Sequence, residues 1–166
     1  MNENEILVTF SNYGVSSIWI TTDGGDSWNE KEANLPDMPV RWGLLHPQDS
    51  NFALIATEIG VWKSSNLQSD NVYWEPSTNG LANVRVDMLS MRETDNMVIA
   101  ASHGRGLFYG EFNVEEGQIG DINNDNEINI LSSDLSEANL DFHYLTTPKR
   151  ISLLAKNFFD ENFMYY

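Results

Sequence analysis

Two short stretches of the sequence carry side chains whose types and spacing could do chemistry. TTDGGDSW, Thr21–Trp28, combines carboxylates, two glycines and a tryptophan, and GDINNDNEINIL, Gly120–Leu131, alternates oxygen-bearing side chains. A carboxylate in a glycine-rich loop can act as a catalytic acid, or it can order its own turn. Alternating carboxylates and amides are ligands that a hard cation such as Ca²⁺ prefers. Which role applies depends on the strands and turns that surround each stretch.

The residue types of the first stretch favour a structural turn. Asp23 can accept backbone N–H groups inside the turn, Gly25 can adopt a positive φ, and Trp28 can pack a large apolar ring beneath the hairpin. With Thr21 they form the pattern Ser/Thr-x-Asp-x-Gly-x-x-Trp, which resembles the Asp-box, or bacterial neuraminidase repeat. That motif closes the hairpin between the last two strands of a propeller blade, away from the catalytic face. The resemblance therefore implies a structural role for Asp23.

Short apolar runs recur along residues 1–112. The runs Ile6–Phe10, Ala53–Thr57 and Met97–Ala101 lie roughly 45 residues apart, and each precedes a glycine-bearing turn and an aromatic strand. A period of about 40–50 residues built from four short strands is typical of a β-propeller blade. The predicted fold is therefore mainly β, with two to three antiparallel β-propeller blades of an incomplete propeller. An unrepeated β-sandwich is the alternative.

The stretch ASHGRGLFYGEF, Ala101–Phe112, resembles the closing stretch of propellers in secreted bacterial proteins, including xyloglucanase-like and sortilin-like ones. His103 and Arg105 in this stretch are candidates for contact with a ligand on the propeller face. Alternatively, both side chains only bond to carbonyls of their own loop. A sialidase site needs three clustered arginines and a Tyr–Glu pair, and the arginines of this sequence are scattered. The sequence therefore identifies no catalytic residue.

The second stretch has the spacing of a calcium loop. Asp121, Asn123 and Asp125 supply side-chain oxygens at positions 1, 3 and 5, and the carbonyl of Glu127 falls at position 7. The stretch resembles the first calcium-binding half of a type I dockerin, which implies calcium as cofactor and a cohesin-like partner. Position 12, where that family has a bidentate Asp, is Ser132, so weak binding is expected. The alternative is a solvated acidic linker.

These features divide the chain into four ranges. We predict a partial Asp-box β-propeller at 1–112, a linker at 113–119, a dockerin-like half module at 120–145 and a helical tail at 146–166. The dipeptide Thr147–Pro148 is a helix-start signal. The calcium loop is therefore expected between the β-rich part and a short helix.

Composition and charge exclude several kinds of partner. The chain has 25 acidic against 9 basic residues and a net charge of −16, which argues against nucleic acid and against an anionic membrane. It has no cysteine, which excludes disulfides, thiol catalysis and cysteine-ligated zinc. No apolar run has the length of about 20 residues that a bilayer span needs. The start, MNENEILVTF, is unlike a signal peptide. Because the chain resembles a piece of a larger secreted protein, we nevertheless expect an extracellular location.

The expected function is non-catalytic. The chain resembles the C-terminal piece of a secreted Asp-box protein associated with polysaccharide binding or degradation, with a dockerin-like attachment module. A first alternative is the C-terminal part of a xyloglucanase-like or sialidase-like glycoside hydrolase whose catalytic residues lie on absent blades. A second alternative is an interaction domain that completes its ring by self-association through unclosed blade faces.

Overall fold

The computed structural model describes residues 2–77, 80–81, 83–114 and 143–144. These residues form eleven strands in three antiparallel sheets. They include no α-helix, and therefore no helix that could cross a membrane. The strands are β1 (Ile6–Thr9), β2 (Ile18–Thr21), β3 (Asn29–Glu30), β4 (Val40–Leu45), β5 (Ala53–Thr57), β6 (Gly60–Ser64), β7 (Glu75–Ser77), β8 (Val86–Arg92), β9 (Met97–Ser102), β10 (Gly106–Glu111) and β11 (His143–Tyr144). Over the described residues, the prediction of a mainly β fold is confirmed.

Each sheet is a meander of strands that follow one another along the chain. The first sheet has the order β1-β2-β3, the second β4-β5-β6-β7, and the third β8-β9-β10-β11. In the third sheet, Phe108 pairs with Tyr144 and Tyr109 pairs with His143. Two residues of the range assigned to the half module thus add a strand to this sheet. The expected calcium loop and helical tail lie outside the described residues.

The three sheets repeat the same hairpin register. In sheets two and three, Thr57 and Ser102 each end the first strand of the hairpin and donate a hydroxyl bond to the carbonyl of Gly60 and Gly106, at 2.8 and 2.7 Å. These turns show that Thr57 and Ser102 are equivalent, and the turns that follow Thr21 and Ser64 relate the first sheet to the second in the same way. Each sheet then has one equivalent pair of residues at the centre of its hairpin. The central pairs are Val8 with Trp19, Ile55 with Trp62 and Ala100 with Phe108.

The core lies between successive sheets. One cluster joins Ile18 and Ile20 of the first sheet to Ile55 and Trp62 of the second. A second cluster joins the opposite face of the second sheet, including Leu54 and Val61, to Ala100 and Phe108 of the third. Strand β5 is buried at every residue because sheets cover both of its faces, which explains why its sequence is a continuous small and apolar run rather than an alternating one.

Trp74 links the first sheet to the second. Its ring is fully buried, and its Nε1 donates to the carbonyl of Lys31 at 2.8 Å. The side-chain amide of Asn34 bonds both backbone groups of Trp74, at 2.7 and 2.8 Å. A buried indole is favourable when its N–H has a partner, so these bonds fix the loop after β3 against the loop before β7.

Gly43 allows the first and second sheets to approach closely. A Cβ atom at this position would lie 2.7 Å from Cδ2 of Leu7 and 3.1 Å from Cγ2 of Thr9, both in β1. The first of these distances is shorter than van der Waals contact, and side chains already fill this part of the core. A side chain at position 43 would have to displace the end of the Leu7 side chain, and glycine lets β4 approach β1 without that shift.

His46 joins the end of β4 to the end of the third sheet. Its ring is buried, Nε2 lies 3.1 Å from the carbonyl of Phe112, and the backbone N–H of Gln48 donates to Nδ1 at 3.3 Å. These partners require a proton on Nε2 and none on Nδ1, which is the neutral form. Burial lowers the pKa of His46 below its ordinary value of 6.5, despite the opposing bond to Phe112.

We expect His46 to make the fold sensitive to mild acid. Because its pKa is lowered on folding, the unfolded chain binds its proton first, so stability is full above pH 6.5 and falls as the pH drops below it. Urea unfolding at pH 7.5 and pH 5.5 measures the loss. His46→Gln should reduce this pH dependence, whereas His103→Gln, at an exposed histidine, should retain it. Equal pH dependence in the wild type and His46→Gln would contradict the assignment.

Candidate functional site

The turn from Thr21 to Trp28 is held by side chains of its own residues. The Thr21 hydroxyl donates to Oδ1 of Asp23 at 2.6 Å and accepts the N–H of Gly25 at 3.0 Å. Ser27 donates its N–H to Oδ1 of Asp23 at 2.9 Å and its hydroxyl to Oδ2. Gly25 has a φ of +103°, which only glycine adopts without strain. Both oxygens of the carboxylate are thus used inside the turn.

These bonds determine the ionisation of Asp23. The hydroxyl of Ser27, then that of Thr21, hold the pKa of Asp23 far below its ordinary value of 3.8. Hydrogen bonds to the charged form stabilise a carboxylate and lower its pKa. A general acid needs a carboxyl group that is still protonated near the working pH. Asp23 has the opposite property, and its geometry is that of a group that orders a loop.

Trp28 is less buried than the sequence predicts. Its Nε1 donates to the carbonyl of Gly25 at 3.1 Å, and the ring lies against that glycine, but the residue is 40% exposed. Trp74 occupies the corresponding place at the end of the β6–β7 connection and is fully buried. The first sheet covers Trp74, whereas no described sheet covers Trp28.

The second sheet keeps part of the same turn. The Ser64 hydroxyl donates to Oδ1 of Asn66 at 3.2 Å and accepts the N–H of that residue at 3.3 Å. Asn66 then bonds the carbonyl of Asn71 and the N–H of Tyr73. Asn66 suits this turn because its amide oxygen accepts two bonds and its NH₂ group donates one, whereas the carboxylate of Asp23 only accepts.

A different group of charged residues lies at the end of the second and third sheets where the β5–β6 and β9–β10 turns are. We call this end of the two sheets the turn end, and its charged residues are Arg41, Glu58, Arg85, Asp87, His103 and Arg105. The register of β4 against β5 shifts at Arg41, and that of β8 against β9 shifts at Asp87. Each shift is a bulge that places one extra residue in the strand. The two bulges carry opposite charges, and Nε of Arg41 lies 3.8 Å from Oδ1 of Asp87.

Turn residues extend this pair into a network. Nε of Arg41 donates to Oε1 of Glu58 at 2.9 Å, and Nε of Arg85 donates to Oδ1 of Asp87 at 2.6 Å. Nδ1 of His103 lies 3.4 Å from Oδ2 of Asp87, and the N–H of His103 donates to the carbonyl of Arg85 at 2.8 Å. Burial works to raise the pKa of Asp87, but Arg85 and then His103 outweigh it and the net shift is downward.

Arg105 lies in the same β9–β10 turn as His103. Its side chain is exposed, and within the part of the chain that the structure describes it has no ion pair or hydrogen bond. The structure thus brings His103 and Arg105 to one end with Arg41 and Arg85. Sequence reasoning missed the last two, because Arg41 lies at a bulge, which leaves no mark in a strand pattern, and Arg85 joins the network through Asp87 at the second bulge. The signal available was a charged residue near the start of each of two equivalent strands.

The expected calcium ligands lie outside the described residues. They are Asp121, Asn123, Asp125, Glu127 and Ser132, all in the connection between β10 and β11. Within residues 2–77, 80–81 and 83–114, no group of three or more acidic or histidine side chains is arranged to hold a metal.

We expect Asp23 to stabilise its turn through its charge. Asp23→Asn should lower the thermal unfolding midpoint, whereas Asp26→Asn, at the exposed neighbour outside the bond network, should leave it unchanged. Because the pKa of Asp23 is lowered, its contribution is present above pH 3.8 and is lost as the pH falls below that value. Calorimetry at pH 7 and pH 3 measures both effects. Equal midpoints for the two variants at pH 7 would exclude a structural role.

Comparison with protein-family models, with curated proteins and with solved structures gives no match to this chain. Its function must therefore be argued from the chemistry of the turn end and from the packing of the three sheets.

Proposed function

We propose that the three sheets are successive blades of a β-propeller-type repeat, and that the chain is a non-catalytic polysaccharide-binding module of a secreted protein. The observation that carries the proposal is the turn end. Two bulges at equivalent places aim Arg41 and Asp87 at one another, and the exposed Arg105 stands beside this network. Bulges are over-represented next to functional sites because they re-aim side chains.

The carboxylates support a binding role over glycoside hydrolysis. Hydrolysis of a glycosidic bond needs one carboxylic acid with a raised pKa beside a second carboxylate. Among the described residues, every carboxylate with a displaced pKa is displaced downward. These are Asp23, Asp87 and Asp95. For Asp95 the main cause is the hydrogen bond from Arg92. Groups of this kind stay ionised and hold structure, and they do not deliver protons at neutral pH.

The ligand class follows from the groups at the turn end. Arg41 and Arg85 are paired with Glu58 and Asp87, which leaves Arg105 as the exposed guanidinium there without a partner among the described residues. A guanidinium binds a carboxylate through two parallel bonds, and Trp42, which follows the bulge of β4, is 41% exposed. An exposed aromatic face beside oriented polar groups suits a sugar ring. The proposed ligand is therefore a polysaccharide that contains uronic acids.

Calorimetric titration with oligogalacturonate and with neutral cello-oligosaccharide tests this site. Arg105→Ala should weaken oligogalacturonate binding by about tenfold or more, as loss of a charged hydrogen bond does. Arg92→Ala is the matched control, because Arg92 is paired with Asp95 at the opposite end of the third sheet. Equal affinity for both sugars, or equal loss in both variants, would reject the acidic ligand. No binding of either sugar rejects the proposed function.

We further propose that the acidic stretch near residues 120–132 is a dockerin-like calcium loop that attaches the module to a cohesin-like partner. The support is the oxygen spacing of Asp121, Asn123 and Asp125 with the carbonyl of Glu127. Ser132 replaces the bidentate carboxylate, so we expect a Kd on the order of 10⁻⁴–10⁻³ M. Affinity in this range suits extracellular calcium and agrees with the proposed secretion.

NMR titration with Ca²⁺ tests the loop directly. Amide shifts confined to residues 120–135 should saturate in the wild type, saturate at lower Ca²⁺ in Ser132→Asp and disappear in Asp121→Ala. The Ser132→Asp variant restores the missing carboxylate, so its gain in affinity distinguishes coordination from general attraction of a cation. Weak shifts that ignore both substitutions would reduce the stretch to an acidic linker.

A further inference from the structure

In the part of the chain that the structure describes, no sheet covers one face of the first sheet, although the corresponding face is covered in the other two. Ile55 with Trp62, and Ala100 with Phe108, point toward the preceding sheet and are buried by it. The corresponding pair in the first sheet is Val8 with Trp19. Together with exposed residues around them, they line an open groove of about 600 Å³. The repeat therefore has an apolar position that no described sheet fills.

The tryptophans at the ends of the β2–β3 and β6–β7 connections occupy equivalent places but differ in burial. Trp74 is fully buried, whereas Trp28 is 40% exposed and lines the groove with Phe10 and Val15. Phe10 and Val15 are also more than 40% exposed. Several large apolar side chains in one groove mark an interaction surface rather than scattered surface residues. The equivalence with Trp74 indicates that the missing neighbour is another sheet.

The third sheet has the complementary face. In the second sheet, Leu54 and Val61 pack on the third sheet, and the register places Ile99 and Leu107 at the same positions in the third. Both residues are only half-buried. The far face of the third sheet therefore presents apolar side chains at the positions that cover the next sheet elsewhere in the molecule.

We propose that a second copy of this chain places the far face of its third sheet on the open groove of the first sheet. The contact is head-to-tail, so a pair of copies makes it twice and closes a ring of six sheets. Propellers contain four to eight blades, and a heterologous contact that closes gives a discrete oligomer rather than a fibre. The second copy is the occupant because it carries the covering face in the register that the intramolecular contacts use.

Net charge gives the association a recognisable salt dependence. Each copy carries a net charge of −16, so two copies repel one another in dilute buffer. Added salt screens this repulsion and does not weaken an apolar contact. The fraction of dimer should therefore rise with sodium chloride as well as with protein concentration. An interface built on ion pairs would respond in the opposite direction.

The absence of native cysteine makes cross-linking a direct test of the faces. Val8→Cys lies in the open groove, Leu107→Cys lies on the far face of the third sheet, and Tyr73→Cys is an exposed control on neither face. Thermal melting of each variant checks that it is folded. Under mild oxidation, a mixture of the first two variants should give a covalent mixed dimer, and neither should cross-link to the control.

Sedimentation of the wild-type chain supplies the second measurement. A dimer that grows with concentration and with salt, together with the mixed disulfide, supports the ring. A monomer at every concentration overturns it, including a monomer whose groove binds an oligosaccharide. Cross-linking of Val8→Cys with itself would show a face-to-face contact, and a series of ever larger species would show an open chain; both reject the two-copy ring. None of these outcomes depends on Arg105, so the proposed sugar site stands or fails separately.

Discussion

The structure depends on one constraint: a sheet that is apolar on both faces must be covered on both. Strand β5 has no polar side until Thr57, and it is buried along its whole length between the first and third sheets. Removing either neighbour would expose side chains whose burial drives folding. The order of the sheets, the place of Trp74 and the close approach at Gly43 all follow from this stacking. Each sheet is stable because its neighbours are present, as in other repeat architectures.

Much of the fold could be predicted from the sequence, because strand runs and turn residues are local signals. The apolar run Ala53–Thr57 and the glycine-bearing turns gave the hairpins. The Thr21–Trp28 pattern also carried its turn geometry, since its side-chain bonds connect residues at most four apart. The burial of Trp28 could not be predicted in this way, because burial depends on a neighbouring sheet and not on the local pattern.

The charged turn end was harder to predict for a physical reason. A bulge changes which side chains face the same way, and it does so without any residue that is diagnostic of it. Arg41 and Asp87 lie far apart in sequence and meet only because the two strands are adjacent. His46 is similar: its partner, the carbonyl of Phe112, is 66 residues away. Isolated polar residues of this kind find their roles through tertiary contacts, which a single sequence does not record.

The paired bulges have a consequence for how such a chain diversifies. When a strand unit is duplicated, the bulge is copied with it, and each new sheet adds one re-aimed side chain to the same end of the molecule. The scaffold stays symmetric while these positions vary independently, as the opposite charges of Arg41 and Asp87 already illustrate. Substitution at such a position leaves the inward-facing side chains of the strand in place. A repetitive architecture can thus carry a non-repetitive surface, and its chemistry can change by one residue per sheet.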